Sequence, residues 1–242
     1  MEAEIRGSSW NPYSQEHRED LFYDFEWARS DIQQWKAHIL RSIDQDEAKQ
    51  DVLKTEDLCS ALIVMDWAMK FLQLKYRERQ CDWYGKRGLS WHISTVILFN
   101  ASSRCLQLRS YAHLFDSCRQ DWFAVCSILE NLLKAIKAEN SEIESVYLRS
   151  DGAGCYHNNF LIAAVTDIGE RIGVRILRYD YFEPQHGKDV CDRILCPMKA
   201  SIRRYCNEGN DILSADDMHI AVSEHYVKGT SACVCLTDVS KK

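Results

Sequence analysis

Apolar residues recur along the chain in different rhythms, and each rhythm predicts a different kind of element. Over residues 14–50, Leu21, Phe22, Phe25, Trp27, Ile32, Trp35, Ile39 and Leu40 return at intervals near three and four, with acids and bases between them. That spacing predicts an amphipathic helical arm. From about residue 59 the rhythm changes. Ala61 to Met65 is a continuous apolar run closed by Asp66, which suits a strand covered on both faces. Leu89 to Phe99 is rich in β-branched and aromatic residues and predicts a second strand, and Cys105 to Phe115, with Leu106, Leu108, Tyr111 and Leu114, predicts a third. Between them and the first run lies a polar, basic stretch from Lys75 to Gly88, in which Gly85-Lys86-Arg87-Gly88 reads as a hairpin turn.

The helical period then returns. Asp116 and Ser117 are placed to cap a helix carrying Trp122, Val125, Ile128, Leu129, Leu132, Leu133 and Ile136 and ending near Asn140. Ile143 to Leu148 predicts a short strand that runs out at Ser150-Asp151-Gly152. A helix over Asn158 to Ile172, a fifth strand over Gly173 to Tyr179, a loop at Glu183-Pro184-Gln185-His186-Gly187 and a helix over Lys188 to Cys206 follow. A smaller helix over Ser214 to Glu224 comes last. The order β-β-β-α-β-α-β-α predicts an α/β protein: a mixed five-stranded sheet with helices on both faces, preceded by the helical N-terminal arm. The expected division is an acidic arm over 1–58, the α/β domain over 59–212, and a C-terminal helix and tail over 213–242.

Composition narrows the class. With 46% apolar residues, 27% charged, 3 Pro and 10 Gly in 242 positions, disorder and collagen-like repeats are excluded. The formal net charge of −6 argues against an anionic partner only until it is divided. Residues 1–60 hold 7 bases against 14 acids, whereas residues 61–242 hold 23 against 22. Within 67–112 there are 8 bases and 2 acids, among them Lys70, Lys75, Arg77, Arg79, Lys86 and Arg87. Trp83, Tyr84 and Trp91 interleave with that run and are placed to stack on unpaired bases. A solvated, aggregation-resistant edge explains the same run equally well.

Eleven scattered cysteines without a signal peptide point to reduced thiols in the nucleus or cytoplasm and not to a secreted protein. The close pairs, Cys233 with Cys235 and Cys191 with Cys196, lack a suitable His pair for zinc. The run Ala61 to Leu74 is broken by Asp66 and Lys70 and is too short to span a bilayer. Phosphate-binding and dinucleotide glycine words and the nucleophile-elbow word are missing.

Three acids stand where they need an explanation. Asp66 sits inside the most apolar strand, where an unpaired carboxylate costs several kcal/mol or takes up a proton. A divalent cation compensates such a group, and so does a strand-end position or a basic partner. Asp151 ends a later strand at a turn, a place where α/β sheets put ligands and where ordinary turn aspartates also sit. Asp189 and Asp192 open the helix after the fifth strand, as the helix dipole favours in any protein. His92, His157 and His186 receive no role.

The joint pattern of acids on the first strand, after the fourth and on the helix after the fifth resembles the ribonuclease H-like core of DDE/DDD transposases and retroviral-type integrases. Ser150-Asp151-Gly152-Ala153-Gly154-Cys155-Tyr156 resembles the integrase element in which Asp-Asn-Gly precedes an aromatic residue. Pro184-Gln185-His186-Gly187 resembles the Pro-Gln-x-x-Gly loop before the third acid, and Gly187-Lys188-Asp189-Val190-Cys191-Asp192 followed by Lys199 resembles a word of transposase-derived proteins. The resemblance covers about residues 59–208. Gly152 replaces the usual Asn, and the third acid is Asp, 38 or 41 residues after Asp151.

The resemblance implies DNA strand transfer or nicking by two-metal phosphoryl transfer, with Mg²⁺ or Mn²⁺ as cofactor. Asp66, Asp151 and Asp192 would be catalytic and would ligate the metal, with Asp189 as the other candidate for the third position. Lys75, Arg77, Arg79, Lys86, Arg87, Lys188 and Lys199 would contact DNA, and a homo-oligomer fits the same picture, with no membrane partner. The rival expectation is a catalytically inactive transposase-derived module that binds DNA or protein.

Overall fold

The computed structural model describes residues 14–55, 57–183 and 189–237, and the chain divides into two units, Met1–Glu47 and Ala48–Lys242. Helix α1, Gln15–Lys54, runs through the boundary. Within the first unit it carries no buried residue, and local bonds run along it: Trp27 Nε1 donates to Asp31 at 2.9 Å and Arg29 pairs with Glu26 at 2.6 Å.

The second unit holds the remaining elements. They are strands β1 (Ser60–Trp67), β2 (Ser90–Asn100) and β3 (Cys105–Phe115), helix α2 (Trp122–Glu139), strand β4 (Ser145–Asp151), helix α3 (Asn159–Ile172), strand β5 (Arg175–Phe182), helices α4 (Val190–Asn207) and α5 (Ala215–Glu224), and strand β6 (Thr230–Val234). The strands form one mixed sheet in the order β5-β4-β1-β2-β3-β6. β1, β2 and β3 are antiparallel neighbours, whereas β4 runs parallel to β1 and to β5, and β6 runs parallel to β3.

The central position of β1 explains its unbroken apolar run. Leu62 and Val64 join a core with Trp91, Met198, Ile202 and Met218 on the α4/α5 face. Ala61, Ile63 and Met65 join Leu129, Leu132, Leu148 and Leu161 on the α2/α3 face. Both faces are dry, so alternation with polar residues is absent. The ends of the helices follow ordinary capping chemistry. The Asn158 side chain accepts from Phe160 N, and Gly173 ends α3 at φ 75°, a left-handed conformation that glycine adopts without strain.

Three expectations change. The sheet has six strands instead of five, because Thr230–Val234 adds a parallel edge to β3. The cap of α2 is Asp121, which accepts from Ala124 N at 3.0 Å, so Asp116 and Ser117 lie in the preceding turn. Asp116 Oδ1 accepts instead from Ala215 N at 2.7 Å, at the start of α5. The basic stretch forms no hairpin of strands. It is an irregular excursion with a short 3₁₀ turn at Gln80–Trp83, tied to the rest by single bridges between Phe71 and Leu89 and between Leu74 and Ile212. Pro184-Gln185-His186-Gly187 and Lys188 lie outside the described residues. Among the described residues no helix is long and apolar enough to cross a membrane.

Candidate functional site

Two of the three acids meet because of strand register. β1 and β4 are parallel and their last paired residues are Met65 and Ser150, so Asp66 and Asp151 follow one step later on adjacent strands. Neighbouring strands lie about 4.8 Å apart. Val64 and Tyr147 pack on the α4/α5 face, and alternation puts Asp66 and Asp151 on that same face. Burial raises the Asp66 pKa from 3.8 to about 7, reinforced by the charges of Asp151 and then of Asp192, while a backbone hydrogen bond from Trp67 opposes the rise. Burial also raises Asp151, against a hydrogen bond from Ala153 N to its Oδ1 at 3.1 Å.

The third acid comes from α4. Cys191 pins the first turn of that helix to the sheet, its Sγ donating to Val64 O at 3.3 Å. The next residue, Asp192, is half-buried and acts electrostatically on Asp66. Asp189 is engaged elsewhere. It caps α4 by accepting from Val190 N at 2.7 Å, and both of its oxygens accept from Lys49 Nζ, at 2.7 and 2.6 Å. Only 16% of the Lys49 side chain and 13% of the Asp189 side chain is exposed, so this pair is largely withdrawn from water.

The donors around Asp66 are hard carboxylate oxygens, which suit Mg²⁺ or Mn²⁺, and a half-buried carboxylate with raised pKa is what a cation would relieve. Mg²⁺ needs only one or two protein carboxylates, the rest of its shell being water and phosphate oxygen. Among the described residues, however, no group of three or more His, Cys, Asp or Glu side chains is placed to hold a metal ion together.

Aromatic and basic neighbours to which the sequence pattern assigns no catalytic role build the surroundings. Tyr156, just after the Asp151 turn, is buried and its hydroxyl lies 2.9 Å from His92 Nε2. Burial, followed by the charge of neighbouring His113, holds the His92 pKa well below its usual value. Tyr179 bonds Ser150 Oγ at 3.0 Å, and the Tyr181 hydroxyl donates to Tyr156 O at 3.3 Å. Arg149, two residues before Asp151 and only 2% exposed, lies 5.9 Å from the Phe182 ring centre. Its signal was visible: an arginine directly after the apolar Val146-Tyr147-Leu148 of β4. Lys49 had none, because its partner is 140 residues away.

The basic stretch is mostly engaged with itself. Lys75 pairs with Asp82 at 2.8 Å and Arg79 with the same carboxylate at 3.8 Å. Lys86 pairs with Glu78, donates to Gln73 O at 2.7 Å and lies 4.9 Å from the Trp83 ring centre. Arg77 and Arg87 are exposed. Lys199 is half-buried, 5.9 Å from the Trp91 ring centre, on a shallow surface of α4 with Arg203 and Arg204. Trp83 and Tyr84 are open to solvent, but Trp91 is fully buried with Nε1 donating to Met69 O at 2.8 Å, so it is unavailable for stacking on bases.

The architecture is thus an α/β unit with a mixed sheet and an acid-lined strand end. The chain belongs to the family described as domain of unknown function (DUF8701), whose profile matches residues 25–242. No curated protein sequence matches it. Among solved structures, it is similar to a Mos1 transposase paired-end complex with left transposon end, at 13% identity and a TM-score of 0.37, covering 77% of this chain and 53% of that one. It is also similar to Mos1 mariner paired-end complexes with Mn and with Mg. These show 9% and 11% identity, TM-scores of 0.32 in both cases, and cover 76% and 77% of this chain and 58% and 60% of those. The chain therefore spans between about half and three fifths of these chains.

Proposed function

We propose that the chain is a transposase- or integrase-like protein with a ribonuclease H-like core, acting on DNA by metal-dependent strand nicking or transfer. The observation that carries this reading is the strand register that sets Asp66 beside Asp151 at the ends of β1 and β4, with Asp192 at the start of α4 close enough to act on Asp66. Structural ion-pair networks also perturb carboxylates, but here the shift comes from burial and from other acids. Asp66, Asp151 and Asp192 would hold Mg²⁺ or Mn²⁺, which supplies charge neutralisation at the phosphate and an activated oxygen nucleophile. The chain's own part is to orient three carboxylates from three elements. Asp189, held by Lys49, would set the position of the α4 start. Arg77, Arg87 and Lys199 would meet the DNA backbone, with Lys75, Arg79 and Lys86 shaping the loop that presents them, and Lys188 would be a further DNA contact. A nuclear or cytoplasmic setting and homo-oligomeric assembly belong to the same reading.

The test is Mn²⁺- or Mg²⁺-dependent nicking of branched or 3′-recessed DNA by the full chain. Activity is expected to be lost in Asp66→Asn and Asp151→Asn and retained in part in Asp189→Asn; nicking that survives Asp66→Asn overturns the assignment. The absence of a three-ligand group among the described residues favours a second reading, a non-catalytic DNA-binding module. That module would bind DNA equally well with Asp66→Asn and show no metal-dependent turnover.

A further inference from the structure

At the β6 edge of the sheet, three strands from β1, two thiols and a histidine come together. Cys233 Sγ and Cys235 Sγ are 3.8 Å apart and both residues are half-buried. Cys233 is paired in register with His113 of β3. Ala232 and Val234 pack on the α4/α5 face with Ala112 and Leu114, so Cys233 and His113 point together to the other face, toward α2. There His113 Nε2 is 3.0 Å from Asn131 Oδ1. With that carbonyl oxygen as acceptor, the ring proton sits on Nε2, and Nδ1 presents a lone pair. His113 is 2% exposed, and its Nδ1 is buried without a hydrogen-bond partner. It is the ring atom left to the Cys233 sulfur.

We propose that Cys233 is a nucleophilic thiol site, activated by His113 and Asn131 and served by Cys235 as its resolving thiol, with peroxides as the reacting class. A thiol beside an imidazole whose other nitrogen is fixed by an amide oxygen matches the general logic of an activated nucleophile: attacking atom, base, orienter. The titratable groups that act on Cys233 are Cys235, His113 and His219, and Cys118 acts on Cys235. The bond to Cys235 and then the nearness of His113 pull the Cys233 thiol well below the ordinary range, against burial, while the same bond pushes Cys235 up. Cys233, the one of the two paired in register with His113, is the thiol the imidazole can serve.

The chemistry balances in two steps. The Cys233 thiolate attacks one peroxide oxygen, the O–O bond breaks, and a sulfenic acid forms as hydroxide leaves and takes a proton. The Cys235 sulfur then attacks the Cys233 sulfur, the S–O bond breaks, and a disulfide forms as water leaves. In sum, two thiols and one hydrogen peroxide give one disulfide and two waters. Residues two apart on a strand have Cα atoms about 6.6 Å apart, which is within the span of disulfides.

The full reduced chain is treated with limiting iodoacetamide at about pH 6.5, where an ordinary thiol is only about 1% thiolate. Labelling is then mapped by mass spectrometry. Cys59, Cys81, Cys105 and Cys196 are exposed and serve as internal competitors. Allowing for the lower intrinsic nucleophilicity of a low-pKa thiolate, Cys233 is expected to react at least about fivefold faster than any of them. An exposed thiol that matches or outruns it overturns the proposal. Asn131→Leu should slow Cys233 alone, with the competitors as the measure of intact folding; an unchanged Cys233 rate removes His113 and Asn131 from the site. Hydrogen peroxide should take about 2 Da from the peptide holding both cysteines, and in Cys235→Ser it should leave a dimedone-trappable sulfenic acid on Cys233. Neither product forming overturns the redox role.

Discussion

Asp66 and Asp151 leave neighbouring parallel strands on one face, a single step past the paired residues Met65 and Ser150. Their closeness is fixed by backbone hydrogen bonds and not by side-chain choice, so either carboxylate can be neutralised without moving the other. That makes the pair open to direct measurement.

Asp66 gives a pH signature. Folding raises its pKa from 3.8 to about 7, so the native state keeps a proton that the unfolded chain releases between those values. The stability this group contributes is complete below the unfolded value and is lost as pH rises through the folded one. Asp66→Asn should therefore gain on the parent protein between about pH 4 and pH 7, by up to about 4 kcal/mol, and level off above, in urea denaturation curves. Millimolar Mn²⁺ at pH 8 should narrow the gap by stabilising only the parent. A gap that is flat with pH would show that Asp66 titrates as an ordinary surface carboxylate.

Asp189→Asn separates a cap from an ion pair. Asn caps helices about as well as Asp, so the change removes only the charge facing Lys49. With both side chains largely buried, the expected loss is about 1–3 kcal/mol of stability, with a matching loss in Lys49→Met and no further loss in the double variant. Additive losses would show that the two residues act separately.

Tyr156→Phe deletes a hydroxyl that lies 2.9 Å from His92 Nε2 in a fully buried setting. A buried polar atom left without its partner costs about 1–3 kcal/mol. Denaturant midpoints should fall accordingly, and an unchanged midpoint would mean that His92 finds a substitute partner.

Gly169 allows α3 to approach the start of β5. A Cβ there would meet Val174 O at 2.6 Å and Ile176 Cγ1 at 3.1 Å. Gly169→Ala should destabilise by about 1–3 kcal/mol despite the better helix propensity of alanine, seen as a lowered Tm.

Much of this architecture was legible from periodicity. The β3 span Cys105–Phe115 and the doubly buried β1 follow directly from their residue patterns, as do the apolar faces of α2 and α3. β6 was not legible, because Thr230-Ser-Ala-Cys-Val234 is short, small-residued and an edge, with little alternation to detect. The bases of the 75–88 stretch suggested a solvated hairpin, but Asp82 and Glu78 inside that stretch gather Lys75, Arg79 and Lys86 into a local knot. The choice between Asp189 and Asp192 was open in the sequence for a similar reason. What distinguishes them is Lys49, which is remote in sequence and local only in space.

The last turns of α1 have a practical consequence for anyone dissecting the chain. Lys49 holds Asp189, Ala48 O accepts from Arg178 at 2.9 Å, and Val52 and Leu53 pack on the α4/α5 core. A truncation that trims the arm back to the first strand would strip an apolar patch, free a buried aspartate and loosen the very helix that carries Asp192. Such a fragment should express poorly and misreport the acids, whereas one starting near residue 47 would keep the clasp closed.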